Sequence, residues 1–227
     1  MPALAIADGD LISGLVAVPA IYPGPLYLSP IARPLSDTGL QMVISQLRKA
    51  GLLANLDFAT PPLPGASILH LRVSFDGSTY ESVGYPSTGG CANGSICTYD
   101  PGTSEAFADM VARLSAPEAW LNGELGPSSQ YSPAGLAVRL TAPQDAAGPM
   151  TPMVYSWPLA VSFASLSADG SFDCVTLGRA ATAALLPLIR EANVLARFTD
   201  STGALRGLQV RALFPGEAAP CPILVEK

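Results

Sequence analysis

Two long stretches of this chain, residues 11–32 and 146–168, carry no charged side chain. Each is long enough to cross a membrane as a helix, for which about 20 apolar residues suffice. Prolines oppose that reading. Pro19, Pro23, Pro25 and Pro30 interrupt the first stretch, and Pro149, Pro152 and Pro158 the second. Each one removes a backbone donor and clashes with the preceding turn, and a membrane span has to satisfy its backbone internally. The expectation is extended, partly buried chain in a protein that does not span a membrane. With 49% hydrophobic and 13% charged residues over 227 positions, the chain can bury a core and is not intrinsically disordered. Twelve Lys+Arg against 18 Asp+Glu give a net charge of −6, the wrong sign for a nucleic-acid partner. The 21 Gly and 22 Pro point to many turns and short elements.

Three helices are expected. Residues 37–50 set Leu40, Val43, Ile44 and Leu47 at helical spacing, with Ser36 or Asp37 as cap and Gly51 just past the end. A second covers about 104–114, with Phe107, Met110, Val111 and Leu114 on its buried side. Ser115-Ala116-Pro117-Glu118 then reads as a capping box for a short turn that ends at Asn122-Gly123. A third covers roughly 179–192, with Leu185, Leu188, Ile189 and Ala192 aligned. Pro187 lies inside it, predicting a kink or a first turn that is not α-helical.

Strands are expected at 68–75, 136–141, 159–166, 172–177 and 208–214. In the first, Leu69, Leu71, Val73 and Phe75 alternate with His70, Arg72 and Ser74. Asp76-Gly77 is a hairpin signal that sets Val73 opposite Tyr80 and Arg72 opposite Glu81. Asp169-Gly170 is expected to turn a second pair. The fold class is α+β: antiparallel sheets of hairpins with about three helices packed on one face. The order aromatic–Pro, strand, helix, strand starts at Ile21–Pro25 and again at Tyr155–Pro158, which suggests a duplicated unit. The division expected is an N-terminal half 1–122, a Gly/Pro/Ser-rich connector 123–135 and a C-terminal half 136–227, as two halves or one compact domain.

Four cysteines permit full pairing. Cys91 and Cys97 flank the short turn-rich segment GGCANGSIC and are the natural local pair. That leaves Cys174 with Cys221, a loop of 46 intervening residues whose closure is worth roughly 4 kcal/mol in the chain-entropy model. Four reduced, buried thiols in a cytosolic protein are the alternative. The first ten residues have no basic region and reach Asp8 and Asp10, so no export signal is visible in this chain.

The catalytic inventory is thin. His70 is the one histidine, and it stands on a strand with no nucleophile motif beside it. GxSxG, P-loop and GxGxxG patterns are absent, and Lys49 and Lys227 are the two lysines. No cofactor is expected, and no catalytic or metal residue is nominated. Asp8-Gly9-Asp10 reads as a turn, and Asp100, Glu105 and Asp109 as charges at the start of the second helix.

Aromatic residues and prolines cluster instead: Tyr22, Pro23, Pro25 and Tyr27, then Tyr155 and Trp157. Rings stiffened by prolines lose little entropy on binding, so these six residues form a candidate binding surface. Packing of the sheet ends is the plainer alternative.

Asp8-Gly9 to Leu11, Ile21 to Pro25 and Leu35 to Leu52 give a strand with an Asp-Gly turn, an Ile-Tyr-Pro-Gly-Pro segment and a helix ending at Gly. Trp120-Leu121, Trp157 to Leu159, Cys174, Ala192-Asn193 and Leu213 to Glu217 continue the series. In this pattern the chain resembles a group of uncharacterised secreted proteins and lipoproteins of high-GC, actinobacterial-type bacteria. Ten Arg against two Lys fits such a genome. The resemblance implies export and the Cys174–Cys221 pair, and it supplies no activity. Members of the group begin with an export signal or lipid-attachment cysteine, which this chain does not show, and the Cys91/Cys97 loop is not part of their pattern.

The expectation is therefore an exported extracellular or cell-envelope module without catalysis that binds a protein or an envelope component. The rivals are a secreted hydrolase with a carboxylate pair acting on a glycan-type substrate, and a structural subunit of an extracellular assembly.

Overall fold

The computed structural model describes residues 3–15, 22–59, 68–85, 101–144, 151–166 and 174–224. Cys91, Cys97, Asp100 and the Asp169-Gly170 turn lie outside them. The chain divides into two units, Met1–Val16 with Pro30–Tyr131, and Ala17–Ser29 with Ser132–Lys227. One crossing falls inside the segment read as a connector. Two others, after residues 16 and 29, hand residues 17–29 to the second unit, which a division into consecutive halves does not provide for.

The first unit holds β1 (Ala3–Ala7), β2 (Asp10–Ser13), β3 (Ile31–Pro34), α1 (Asp37–Lys49), β4 (Leu56–Asp57), β5 (Leu69–Phe75), β6 (Ser78–Gly84), α2 (Pro101–Ser115) and β7 (Ser129–Gln130). Its sheet runs β4-β6-β5-β1-β2-β3-β7. Both Asp-Gly turns have two consecutive left-handed residues, Asp8 and Gly9 at φ 53° and 82°, Asp76 and Gly77 at φ 51° and 71°. That is the turn whose twist matches paired strands, and Asp and Gly tolerate it. It sets Val73 opposite Tyr80 and Arg72 opposite Glu81, as expected. β1 joins β5 in parallel and β4 joins β6 in parallel, pairings that a hairpin reading does not supply.

Leu4, Ile6, Leu11, Leu69, Leu71 and Val73 from one sheet face bury against Val43, Ile44 and Leu47 of α1 and Phe107, Met110, Val111 and Leu114 of α2. The Ser36 hydroxyl accepts the Gly39 N–H at 3.0 Å and caps α1, while Gly51 at φ 71° follows the Ala50 C-cap. The Ser115 capping box does not form. Ser115 Oγ donates back to the Val111 carbonyl at 2.7 Å, and Ala116 opens a 3-10 turn, Pro117–Ala119, without a side-chain cap. A serine still inside the helix bonds backward along it and is not free to cap forward.

The second unit holds β8 (Leu136–Thr141), β9 (Val154–Ser156), the one-turn α3 (Phe163–Leu166), β10 (Cys174–Leu177), α4 (Arg179–Glu191), β11 (Arg197–Thr199) and β12 (Leu205–Ala212). Its sheet runs β10-β8-β12-β11-β9, with β9 parallel to β11. α4 buries Ala181, Leu185, Leu186 and Ile189. It is α-helical from Arg179 through Pro187 to Glu191, so the expected first turn that is not α-helical does not occur. Pro187 and Ala183 are both exposed, so the ring stands in water and the carbonyl left without its N–H is open to solvent. The expected strand 159–166 is instead a bend followed by α3, because the Asp200 carboxylate accepts the Phe163 N–H at 2.7 Å and starts a helix there.

The structure is thus α+β, with four helices and two mostly antiparallel sheets among the described residues. The helices divide between the two sheets. These differ in strand number and order, so the recurring strand–helix–strand sequence is not mirrored in a repeated sheet. Cys174 and Cys221 form a disulfide with their Cα atoms 5.7 Å apart.

Ser36→Ala should lower the stability of the first unit by about 1 kcal/mol. It would be read as a lower urea midpoint with an unchanged slope.

Candidate functional site

The two aromatic–proline segments, some 130 residues apart in sequence, fasten to the same stretch of chain after α4. Leu26 N–H donates to the Ala192 carbonyl and Val194 N–H to the Gly24 carbonyl, each at 2.9 Å, and Pro25 bridges antiparallel to Asn193. From the other segment, the Met153 carbonyl accepts Arg197 N–H at 2.9 Å, and Trp157 N–H donates to the Thr199 carbonyl at 2.8 Å. Asn193 Oδ1 accepts Leu195 N–H at 2.9 Å and shapes the turn between these anchors. The peptide bond between Tyr22 and Pro23 is cis.

The six nominated residues divide by burial. Tyr27 and Trp157 are 4% and 6% exposed and belong to the core. The Trp157 ring lies 5.1 Å from that of Phe163, and its Nε1–H donates to the Val161 carbonyl at 3.1 Å. Tyr155 is half-buried and stacks on Phe198 at 5.5 Å. Pro23 and Pro25 are half-buried as well. Tyr22 stands out at 59% exposure. Core placement of Tyr27 and Trp157 corrects their place on a binding surface: prolines beside a ring stiffen it for packing as readily as for display.

Two exposed apolar residues escaped the sequence reading. Met153 and Val154 are 54% and 62% exposed, the first just before and the second on β9, an edge strand of the second unit's sheet. Parallel pairing turns the backbone groups of Tyr155 toward β11 and those of Val154 and Ser156 away from it. The alternation Val154-Tyr155-Ser156 carries that signal, but three residues are too few to reveal it.

Several charged groups are engaged within the fold. On the sheet face opposite the first unit's core, Ala32, Ile12, Ala5, Arg72 and Glu81 lie in one register row. Glu81 Oε1 accepts both His70 Nδ1 at 2.6 Å and Arg72 Nη2 at 2.9 Å. Burial raises the Glu81 pKa, but the His70 hydrogen bond and the Arg72 charge outweigh it and hold the carboxyl below its ordinary range. Buried Asp200 organises the β11–β12 loop: its Oδ1 accepts the Thr202 hydroxyl at 2.7 Å and the N–H groups of Thr202 and Ala204 at 2.9 and 3.0 Å. The Thr202 hydroxyl is the main cause that lowers the Asp200 pKa; burial opposes it, and the Phe163, Thr202 and Ala204 N–H groups reinforce it. Glu118 is lowered too, first by its own backbone N–H, against burial, and then by Arg33. Asp109 pairs with Arg113 one turn along α2 at 2.9 Å and does not serve the helix start. Carboxyls lowered in this way resist protonation, the opposite of what a general acid needs.

Among the described residues, no group of three His, Cys, Asp or Glu side chains could hold a metal ion. No described helix is long and apolar enough to cross a membrane. Searched against protein-family models, curated proteins and solved structures, the chain gives no match.

Two measurements follow from this geometry. Trp157→Ala should destabilise the second unit by about 3–5 kcal/mol, and Tyr22→Ala should change stability by less than about 0.5 kcal/mol, both by urea unfolding. Because the folded-state pKa of Asp200 is the lower one, its contribution is present above the unfolded value of about 3.9 and is lost as pH falls through the folded value. Asp200→Asn should therefore melt below the parent at neutral pH, and the gap in Tm should narrow on acidification.

Proposed function

We propose that this protein is an exported, non-catalytic binding module of the cell envelope or extracellular space. It takes a protein or envelope component at the exposed apolar side chains fastened around residues 192–199. The observation that carries this reading is the exposure of Tyr22, Met153 and Val154 on segments whose neighbours are pinned. Tyr27 and Trp157 are core, Tyr155 is stacked, and the backbone on both sides is paired to residues 192–199. Apolar groups already held in place lose little freedom when a partner covers them, so more of the burial energy becomes affinity. Edge-strand backbone beside Val154 adds hydrogen-bonding capacity that a partner's polar groups can use.

The Cys174–Cys221 disulfide supports the compartment, since such bonds persist in oxidising surroundings outside the cytoplasm. The carboxylates with displaced pKa values are engaged in hairpins, caps and ion pairs, which favours binding over hydrolysis.

The test is site-specific photo-crosslinking in an envelope fraction of the producing organism. A crosslinker at position 22 and one at position 154 should each capture the same component. One at Gln209, exposed on β12 of the same sheet, should not. No adduct at 22 and 154, or an equal adduct at 209, overturns the assignment.

A further inference from the structure

The C-terminal tail is attached to the second unit in an uneven way. Up to Glu217 it is anchored through side chains and backbone. Glu217 pairs with Arg211 at 2.5 Å and accepts the Phe214 N–H at 3.0 Å. Its own N–H closes a turn onto the Phe214 carbonyl at 3.0 Å, with Gly216 at φ 72° where the turn needs a left-handed residue. Ala218, Ala219 and Pro220 follow, all exposed. Beyond them Cys221 is bonded to Cys174, and the chain runs parallel to β10 as one further short strand.

Among the described residues, that added strand rests on a single residue of β10. Thr176 N–H donates to the Pro222 carbonyl at 2.8 Å, Leu224 N–H to the Thr176 carbonyl at 2.8 Å, and Thr176 Oγ1 to the Cys221 carbonyl at 3.0 Å. Apolar burial adds little, because Pro222 is exposed and Ile223 is 62% exposed. The covalent bond therefore does most of the holding.

We propose that the Cys174–Cys221 disulfide is a redox latch on a strap, residues 218–224, whose release uncovers the β10 edge while both sheets stay folded. A dithiol reductant opens it. Two electrons pass to the S–S bond, which breaks; each sulfur becomes a thiol with protons from the dithiol, which is left as its own disulfide. The anchor at Glu217 is untouched by this step, so the strap swings from 218–220. The Thr176 N–H and C=O then face water, as an edge open to an extended backbone.

Strand geometry supplies an internal control. Thr176 points its backbone groups at the tail, so those of Val175 and Leu177 point at β8. Residue-resolved hydrogen exchange on the full chain, oxidised and then reduced with dithiothreitol, reads the difference. Reduction should speed exchange of the Thr176 and Leu224 amides about tenfold or more and leave Val175 and Leu177 within about twofold. A Cys221→Ser variant should fold and show the same pattern without reductant. Unchanged Thr176 protection would mean that the strap holds without its latch. Loss of Val175 and Leu177 protection together with Thr176, or a Cys221→Ser chain that does not fold, would make the disulfide a clamp on the whole unit. Either result overturns the proposal.

Discussion

Apolar chain that cannot become a helix must still pair its backbone N–H and C=O groups, and in this protein that requirement converges on residues 192–199. The proline-rich segments 22–27 and 152–158 within the two uncharged runs form no helix. Each meets part of the requirement by bonding to the residues that leave α4. Gly24 and Leu26 pair with Val194 and Ala192, and Met153 and Trp157 pair with Arg197 and Thr199. The allotment of residues 17–29 to the second unit follows from the same bonds, as does the position of β9 at the sheet edge. Tyr27 and Trp157 can then be buried because the chain on which they sit is already held.

The scarcity of charge has a matching consequence. With few ionisable groups available, several are used more than once. Glu81 receives both His70 and Arg72; Asp200 shapes the β11–β12 loop and starts α3; Glu217 pairs with Arg211 and holds the Phe214 N–H. A carboxylate that accepts several donors is held ionised, and its loss leaves several partners unsatisfied together. These groups hold the fold together at several points each.

Much of the first unit was legible in the sequence because its information is local. Asp76-Gly77 determines turn type, register and the Arg72–Glu81 pair within six residues of itself, and Ser36 and Gly51 bracket α1 directly. The second unit was less legible because its decisive contacts are distant. Phe163 belongs to a helix on account of Asp200, a residue 37 positions later, so apolar spacing alone suggests a strand. Pro25 pairs with Asn193, a contact with no local sign. The Ser115 motif misled for a reason of its own: Pro117 and the backward bond of Ser115 to Val111 decide the turn, and spacing records neither. Of the candidate surface, the clustering of rings and prolines marks two segments that both pair with residues 192–199. Which ring faces water depends on Phe198 and Phe163 beneath them, and their placement comes from the assembled sheet.

The five-stranded sheet treats its two edges in opposite ways. At β10 the chain lays its own tail along the edge and bonds it covalently, although that tail buries little apolar surface. At β9 the described chain leaves Val154 and Met153 in water, beside backbone groups that face away from β11. Unpaired edges invite strand addition, and folds commonly blunt them with charge, proline or a cover. A sheet that covers one edge and displays apolar side chains on the other separates an edge to be protected from an edge available for contact. Pro152 and Pro158, just outside β9, confine that open edge to a short strand. The exposed strand there is three residues long, too short to template an indefinite sheet.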